Sequence, residues 1–138
     1  MNLFKTIFST ILLVASFASV ADISVIVNPA NSDSFDAKTI KRIYLGKIKV
    51  FPNGEKVTVL TLEDNAPETE MFRESALNKS NSQFKSYWSK LAFTGKGTPP
   101  TEVASSADMI NAIKADASSI GFVDSSAVTA DVKVIATF

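Results

Sequence analysis

The sequence predicts a small single-domain α/β protein over residues 22–138, with a mixed, mostly parallel sheet flanked by helices. Three observations carry that expectation. Short β-branched runs alternate with amphipathic stretches, the pattern of successive strand and helix units. An apolar content of 46% over 138 residues supports one core and leaves too little chain for two. No internal repeat or low-complexity linker divides the chain.

Residues 1–21 read as an export signal that precedes the fold. Lys5 gives the charged first region, and residues 7–17 are apolar except for Ser9, Thr10 and Ser16. Ser19-Val20-Ala21 then places small residues before a cleavage point at Asp22. The apolar run is about a dozen residues, short of the roughly 20 that a membrane-spanning helix needs. No Cys follows it to carry a lipid, so the product is expected free in the periplasm or secreted, with no membrane anchor after cleavage. With no Cys at all, there is no disulfide, and the domain must hold together by burial.

Within the mature chain, Ile23–Val27 is short and β-branched and stops at Asn28-Pro29, which reads as a first strand. Ser34 or Asp36 caps a helix with Ile40, Ile43 and Tyr44 on one face and Lys38, Lys41 and Arg42 opposite. Gly46 falls where a left-handed C-terminal cap belongs, and Lys47 suits the negative end of the helix dipole. Pro52-Asn53-Gly54 is a turn, because proline presets φ and Asn-Gly tolerates positive φ. Residues 57–62 form a second strand, apolar enough to be buried on both faces.

Asn65 and Glu68 have the spacing of a capping box, with Pro67 tolerated in the first turn of a helix that buries Met71, Phe72 and Leu77. Residues 82–92 are amphipathic, with Phe84, Tyr87, Trp88 and Leu91 on one stripe. Residues 93–100 are an irregular loop. Ser105 and Asp108 cap a fourth helix that buries Met109, Ile110 and Ile113. Residues 120–123 and 132–135 are the last strands.

The inventory of side chains excludes most chemistry. Fourteen basic and fourteen acidic residues give no net charge, so the dominant basic face of a nucleic-acid partner is missing. Without His or Cys, the usual zinc sites, Ser-His-Asp triads and Cys nucleophiles cannot be built. No calcium-loop spacing occurs, and Glu63, Asp64, Glu68, Glu70 and Glu74 are placed to suit a helix N-terminus. The expectation is a protein that is not an enzyme, with no metal and no cofactor. Gly95-Lys96-Gly97 is a tight connector, or an anion cradle made by Thr94, Gly95 and Lys96. It is not a nucleotide phosphate loop, because Lys90 and Gly97 stand where that motif requires Gly and Ser or Thr. The basic stretch 38–56 and the acidic stretch 63–74 read as solvated faces or as docking surfaces.

Three segments, in order, carry a resemblance: Ile43-Tyr44-Leu45-Gly46-Lys47-Ile48 with Phe51 and Gly54, Val57-Thr58-Val59-Leu60, and Ser119-Ile120-Gly121-Phe122-Val123. Over residues 37–124 the chain resembles the phosphate-type periplasmic substrate-binding proteins of ABC transporters. The resemblance implies one lobe of a type II periplasmic binding protein, with phosphate or another small oxyanion as ligand. It also implies an ABC transporter membrane component, or a second subunit, as partner.

In that family the second strand runs into R-S-D-G-S-G-T-T, whose arginine, serine and amides hold phosphate at a helix N-terminus. The same stretch here is Leu62-Glu63-Asp64-Asn65-Ala66-Pro67-Glu68-Thr69. Asp64 and Thr69 match, Leu62 replaces the arginine, and Ala66, Pro67 and Glu68 replace the ligand serine, glycine and threonine, so the binding loop is not retained. The ligand residues implied are Asp64, Asn65 and Thr69, with Thr94, Gly95 and Lys96 as the alternative cradle. Family members have two lobes, of which the first is represented here at most by residues 23–28 and the segment after them. The alternative function is a ligand-free periplasmic protein-interaction module.

Overall fold

In the computed structural model, residues 22–33 and 35–138 are described; the expected export signal and the cap candidate Ser34 lie outside them. Five strands form one sheet: β1 (Ile23–Val27), β2 (Thr58–Leu62), β3 (Thr101–Val103), β4 (Ser119–Asp124) and β5 (Lys133–Thr137), in the order β3-β2-β4-β1-β5. β2 pairs parallel with β3, Leu60 opposite Thr101, and with β4, Thr58 opposite Ser119. β1 lies antiparallel between β4 and β5, with Val25 opposite Phe122 and Ser24 opposite Thr137. Four strands therefore run one way and β1 alone runs the other, which is the mixed, mostly parallel sheet expected.

Residues 23–27 are an interior strand of this one sheet, with all five residues buried. Their pairing partners lie near the far end of the chain, a relationship that no local pattern announces.

Helices cover both faces. Successive residues of a strand point to opposite sides, and β4 shows what each side meets. Gly121 faces Met109 and Ile113 of α4 (Ser106–Ala115), where an added Cβ would collide with the Met109 sulfur. Phe122 stacks on Phe72 of α2 (Pro67–Leu77), ring centroids 4.1 Å apart, and lies near Tyr44 of α1 (Ala37–Tyr44). α3 (Asn81–Phe93) packs through Phe84 and Trp88. With both faces covered, β1 and β4 are almost entirely buried. β2 departs from the expected two-sided burial at its start, where Thr58 is exposed and Val59 half-buried.

The helix ends follow the local chemistry. Asp36 caps α1 by accepting from the Thr39 amide at 2.8 Å, and Ile40, Ile43 and Tyr44 form its buried face. Gly46 adopts φ +71°, and the amides of Gly46 and Lys47 return to the carbonyls of Ile43 and Arg42 at 3.0 and 2.9 Å. Ser105 caps α4 through the Asp108 amide. Ser80 and Gln83 make a reciprocal capping box on α3. The box expected from Asn65 and Glu68 does not form. Pro67 takes the first helical position, so Ala66 becomes the cap residue and Glu68 sits one place too early to reach back.

Candidate functional site

In open α/β sheets, ligand sites collect beyond the carboxyl ends of the parallel strands. Here that edge carries the turn after β2, residues 63–66, which leads into α2. The turn is closed by the Ala66 amide, which donates to the Glu63 carbonyl at 3.0 Å. Thr69 is fully buried; its hydroxyl donates to the Glu63 carbonyl at 2.7 Å and its amide to Ala66. Thr69 thus fastens the turn from inside. Asn65 is exposed, and Asp64 is partly so.

Asp64 stands at the centre of a charged network. Its Oδ1 accepts from Arg73 Nη2 at 2.8 Å, and Lys85 Nζ lies 3.5 Å from Oδ2. Arg73 is 3% exposed, donates its other terminal nitrogen to Asn81 Oδ1 at 3.0 Å, and lies 4.1 Å above the Phe84 ring. Asn81 in turn donates to the Asp64 carbonyl at 3.4 Å. Burial pushes the Asp64 carboxyl upward, but the hydrogen bond and charge of Arg73, together with Lys85, outweigh it and hold the group below the ordinary carboxylate range. Asp64 is therefore ionised at neutral pH and acts only as an acceptor.

The arrangement has a direct chemical meaning. A guanidinium is bidentate and suits an oxyanion, and one is present beside this loop. It is supplied by α2 rather than by the end of β2, where Leu62 stands. Its anion is also present, as the side chain of Asp64. A cavity of about 260 Å³ adjoins the network and is lined by Arg73 and Lys85 as well as Asp64 and Glu102, a balanced set. Glu63, Glu68 and Glu70 add negative charge around the same turn. At about 4 Å and an effective dielectric near 20, each like-charge contact with an incoming anion costs on the order of 4 kcal/mol.

Thr94, Gly95 and Lys96 lie at the other end of α3. Thr94 is its C-terminal cap, donating its hydroxyl to the Lys90 and Leu91 carbonyls. Gly95 has φ +68°, and the Gly95 and Lys96 amides donate to Ala92 and Leu91 at 3.1 and 2.9 Å. Those two amides, which would have cradled an anion, close the helix at the negative end of its dipole. Asn81, at the start of α3, touches Asp64, and a helix of 13 residues spans about 20 Å. The two groups of candidate residues are not brought together.

Arg73, Asn81, Phe84 and Lys85 complete the network; the sequence placed Phe84 on an apolar stripe and offered none of the four as a site residue. One signal was available for Arg73. It lies four residues after Thr69 and between Phe72 and Ala76, on the buried stripe of α2, where a guanidinium requires a partner. Among the described residues, no group of three or more acidic side chains is placed to hold a metal, and no helix is long and apolar enough to cross a membrane.

No protein-family model matches the chain, and no curated protein sequence matches it significantly. Solved structures do. An ABC-type phosphate transport receptor from Vibrio cholerae is 20% identical, with a TM-score of 0.57 over 83% of this chain and 45% of its own. A protein assigned as a phosphate ABC transporter substrate-binding protein, from Clostridium perfringens and with bound phosphate, is 18% identical with a TM-score of 0.67, over 83% of this chain and 44% of its own. PstS from Borrelia burgdorferi is 13% identical with a TM-score of 0.64, over 83% and 46%. At these identities the likeness establishes the fold, and the chain spans less than half the length of each of these proteins. It matches the single-lobe architecture expected from the sequence.

Proposed function

We propose that residues 22–138 are an exported domain of the solute-binding-protein type, akin to the phosphate transport receptors, whose α2 loop no longer takes a free oxyanion. The observation that carries this reading is the Asp64 carboxylate, held at 2.8 Å by the buried Arg73 and at 3.5 Å by Lys85. An ionised side chain already engages the guanidinium beside this turn, and Pro67 removes one amide from the helix end. Transport-type binding proteins as neighbours support a binding rather than a catalytic role, and the lack of His and Cys supports it independently.

A single lobe offers one wall of a cleft. The partners proposed are a second subunit or a membrane component of an ABC transporter, by likeness to the phosphate transport receptors. The test is a thermal-shift titration of residues 22–138 against phosphate, sulfate and small carboxylates. A ligand at 100 times its Kd adds about 2.7 kcal/mol of stability, an easily read shift. The expected result is no saturable shift with phosphate or sulfate; a saturable shift with phosphate alone would reject the proposal.

A further inference from the structure

The opposite edge of the parallel strands carries a second concavity with a different character. Where β2 begins at Thr58 and β3 at Thr101, a cavity of about 370 Å³ opens, within the roughly 300–1,000 Å³ typical of small-ligand sites. Val59 and Trp88 are part of its apolar floor, Pro99 and Pro100 form a wall, and Lys49 and Lys56 are its charged residues. No carboxylate lines it. Among the described residues, neither lysine makes an ion pair. Lys49 Nζ reaches the Lys96 carbonyl at 3.4 Å, which leaves two of its three donors for another partner.

The floor is rigid. Trp88 donates its indole N–H to the Tyr44 carbonyl at 3.2 Å. A Cβ on Gly46 would meet the indole at 2.7 Å and one on Gly97 at 3.1 Å, so glycine at both places lets the chain close against the ring. Gly97, at the end of the Gly95-Lys96-Gly97 segment, thus lines this cavity. The basic stretch after α1 supplies its charge.

Two physical demands meet here. Exposed apolar floor gains from being covered, at about 25 cal/mol per Å², and two unpaired ammonium groups favour an anion. Inorganic phosphate meets the second demand and leaves the floor wet. The geometry points to an apolar carboxylate, with an aryl or medium-chain alkyl body lying against Ile48, Val59 and Pro99 above the largely buried Trp88 and its carboxylate between Lys49 and Lys56, as the ligand of this cavity. This cavity shares Trp88, Pro99 and Pro100 with the one beside Asp64 but none of its charged residues, and the assignment does not depend on the function proposed above.

Trp88 is the single tryptophan of the chain, so its emission reports directly on the floor. The probes are sodium octanoate and the fluorescent apolar sulfonate 8-anilinonaphthalene-1-sulfonate, added to residues 22–138. The expected result is one-site binding of the sulfonate, energy transfer from Trp88, and displacement by octanoate. Amide and indole N–H resonances of Val59, Trp88, Gly97 and Thr101 should move, and those of Asn65 and Glu68 should not. The exposed pair Lys49→Gln and Lys56→Gln, checked for an unchanged melting temperature, should weaken octanoate at least about tenfold, equivalent to about 1.4 kcal/mol. Equal displacement by 1-octanol, unchanged affinity in the double variant, stronger displacement by an uncharged apolar peptide, or resonance shifts confined to another surface would each overturn the assignment.

Discussion

Replacing Asp64 with alanine removes the anion that balances a buried guanidinium. Arg73 would keep Asn81 and the Phe84 ring as partners but would lose the carboxylate at 2.8 Å, with the Lys85 ammonium left nearby. Breaking a fully buried pair costs about 3–5 kcal/mol. The Asp64 side chain is 37% exposed, so water already screens part of its charge and the loss falls to about 2 kcal/mol. At about 4 °C per kcal/mol for a domain of this size, the melting temperature should drop by roughly 8 °C.

If Asp64 acts as an internal anion, the space it vacates should accept an external one. Formate, titrated into the Asp64→Ala variant in a buffer poor in other anions, should restore stability in a saturable way, by about 1.4 kcal/mol at ten times its Kd. The same titration of the unaltered protein supplies the correction for general salt effects. The assay is a thermal melt followed by far-ultraviolet circular dichroism. A loss below about 0.5 kcal/mol, within the range of ordinary surface substitutions, would refute the energetic argument. Equal formate effects on both proteins would refute the anion-substitution argument.

Other consequences separate the structural roles of single residues. Gly46→Ala should cost about 2–3 kcal/mol in urea unfolding, because positive φ is joined by the collision with Trp88; Gly95→Ala, also at positive φ but facing open space, should cost about 1 kcal/mol. Equal losses at the two glycines would contradict the indole contact. Tyr44→Phe removes the 2.8 Å bond to the buried Leu60 carbonyl and should cost about 1–2 kcal/mol by the same assay. Burial holds the Tyr44 phenol well above its usual value. Its unfolded form loses a proton near pH 10 while the folded form keeps it, so stability should fall as pH rises beyond about 10, less steeply in Tyr44→Phe. Asp64, its folded value depressed, binds a proton more readily when unfolded. Its contribution is complete above an unfolded value near pH 3.9 and is lost as pH falls through the folded value, so Asp64→Ala should show a flatter acid limb in melts across pH.

Much of the fold is written in local patterns. The stripe Ile40, Ile43 and Tyr44, the Asp36 and Ser105 caps and the glycine after α1 each depend on neighbours within a turn or two, and each forms as expected. What was illegible is non-local or very short. β3 is three residues long, lies just after Pro99-Pro100 and has no buried face to create alternation. The place of β1 between β4 and β5 depends on partners about a hundred residues away. The candidate site divides in the same manner. Asp64 is visible as a match to a loop pattern, but its meaning comes from Arg73 and Lys85, nine and twenty-one residues further on, which only helix packing brings to it. The capping-box spacing of Asn65 and Glu68 was misleading because Pro67 moved the helix start by one residue.

In the function proposed here, the Asp64 carboxylate serves as the internal anion of the α2 loop. The most direct test is a phosphate titration of residues 22–138 followed at the amides of Asn65, Glu68 and Thr69 in nitrogen–proton correlation spectra. No saturable change is expected at these amides through millimolar phosphate. Saturable shifts there with phosphate, and none with sulfate, would contradict it and return the loop to its ligand.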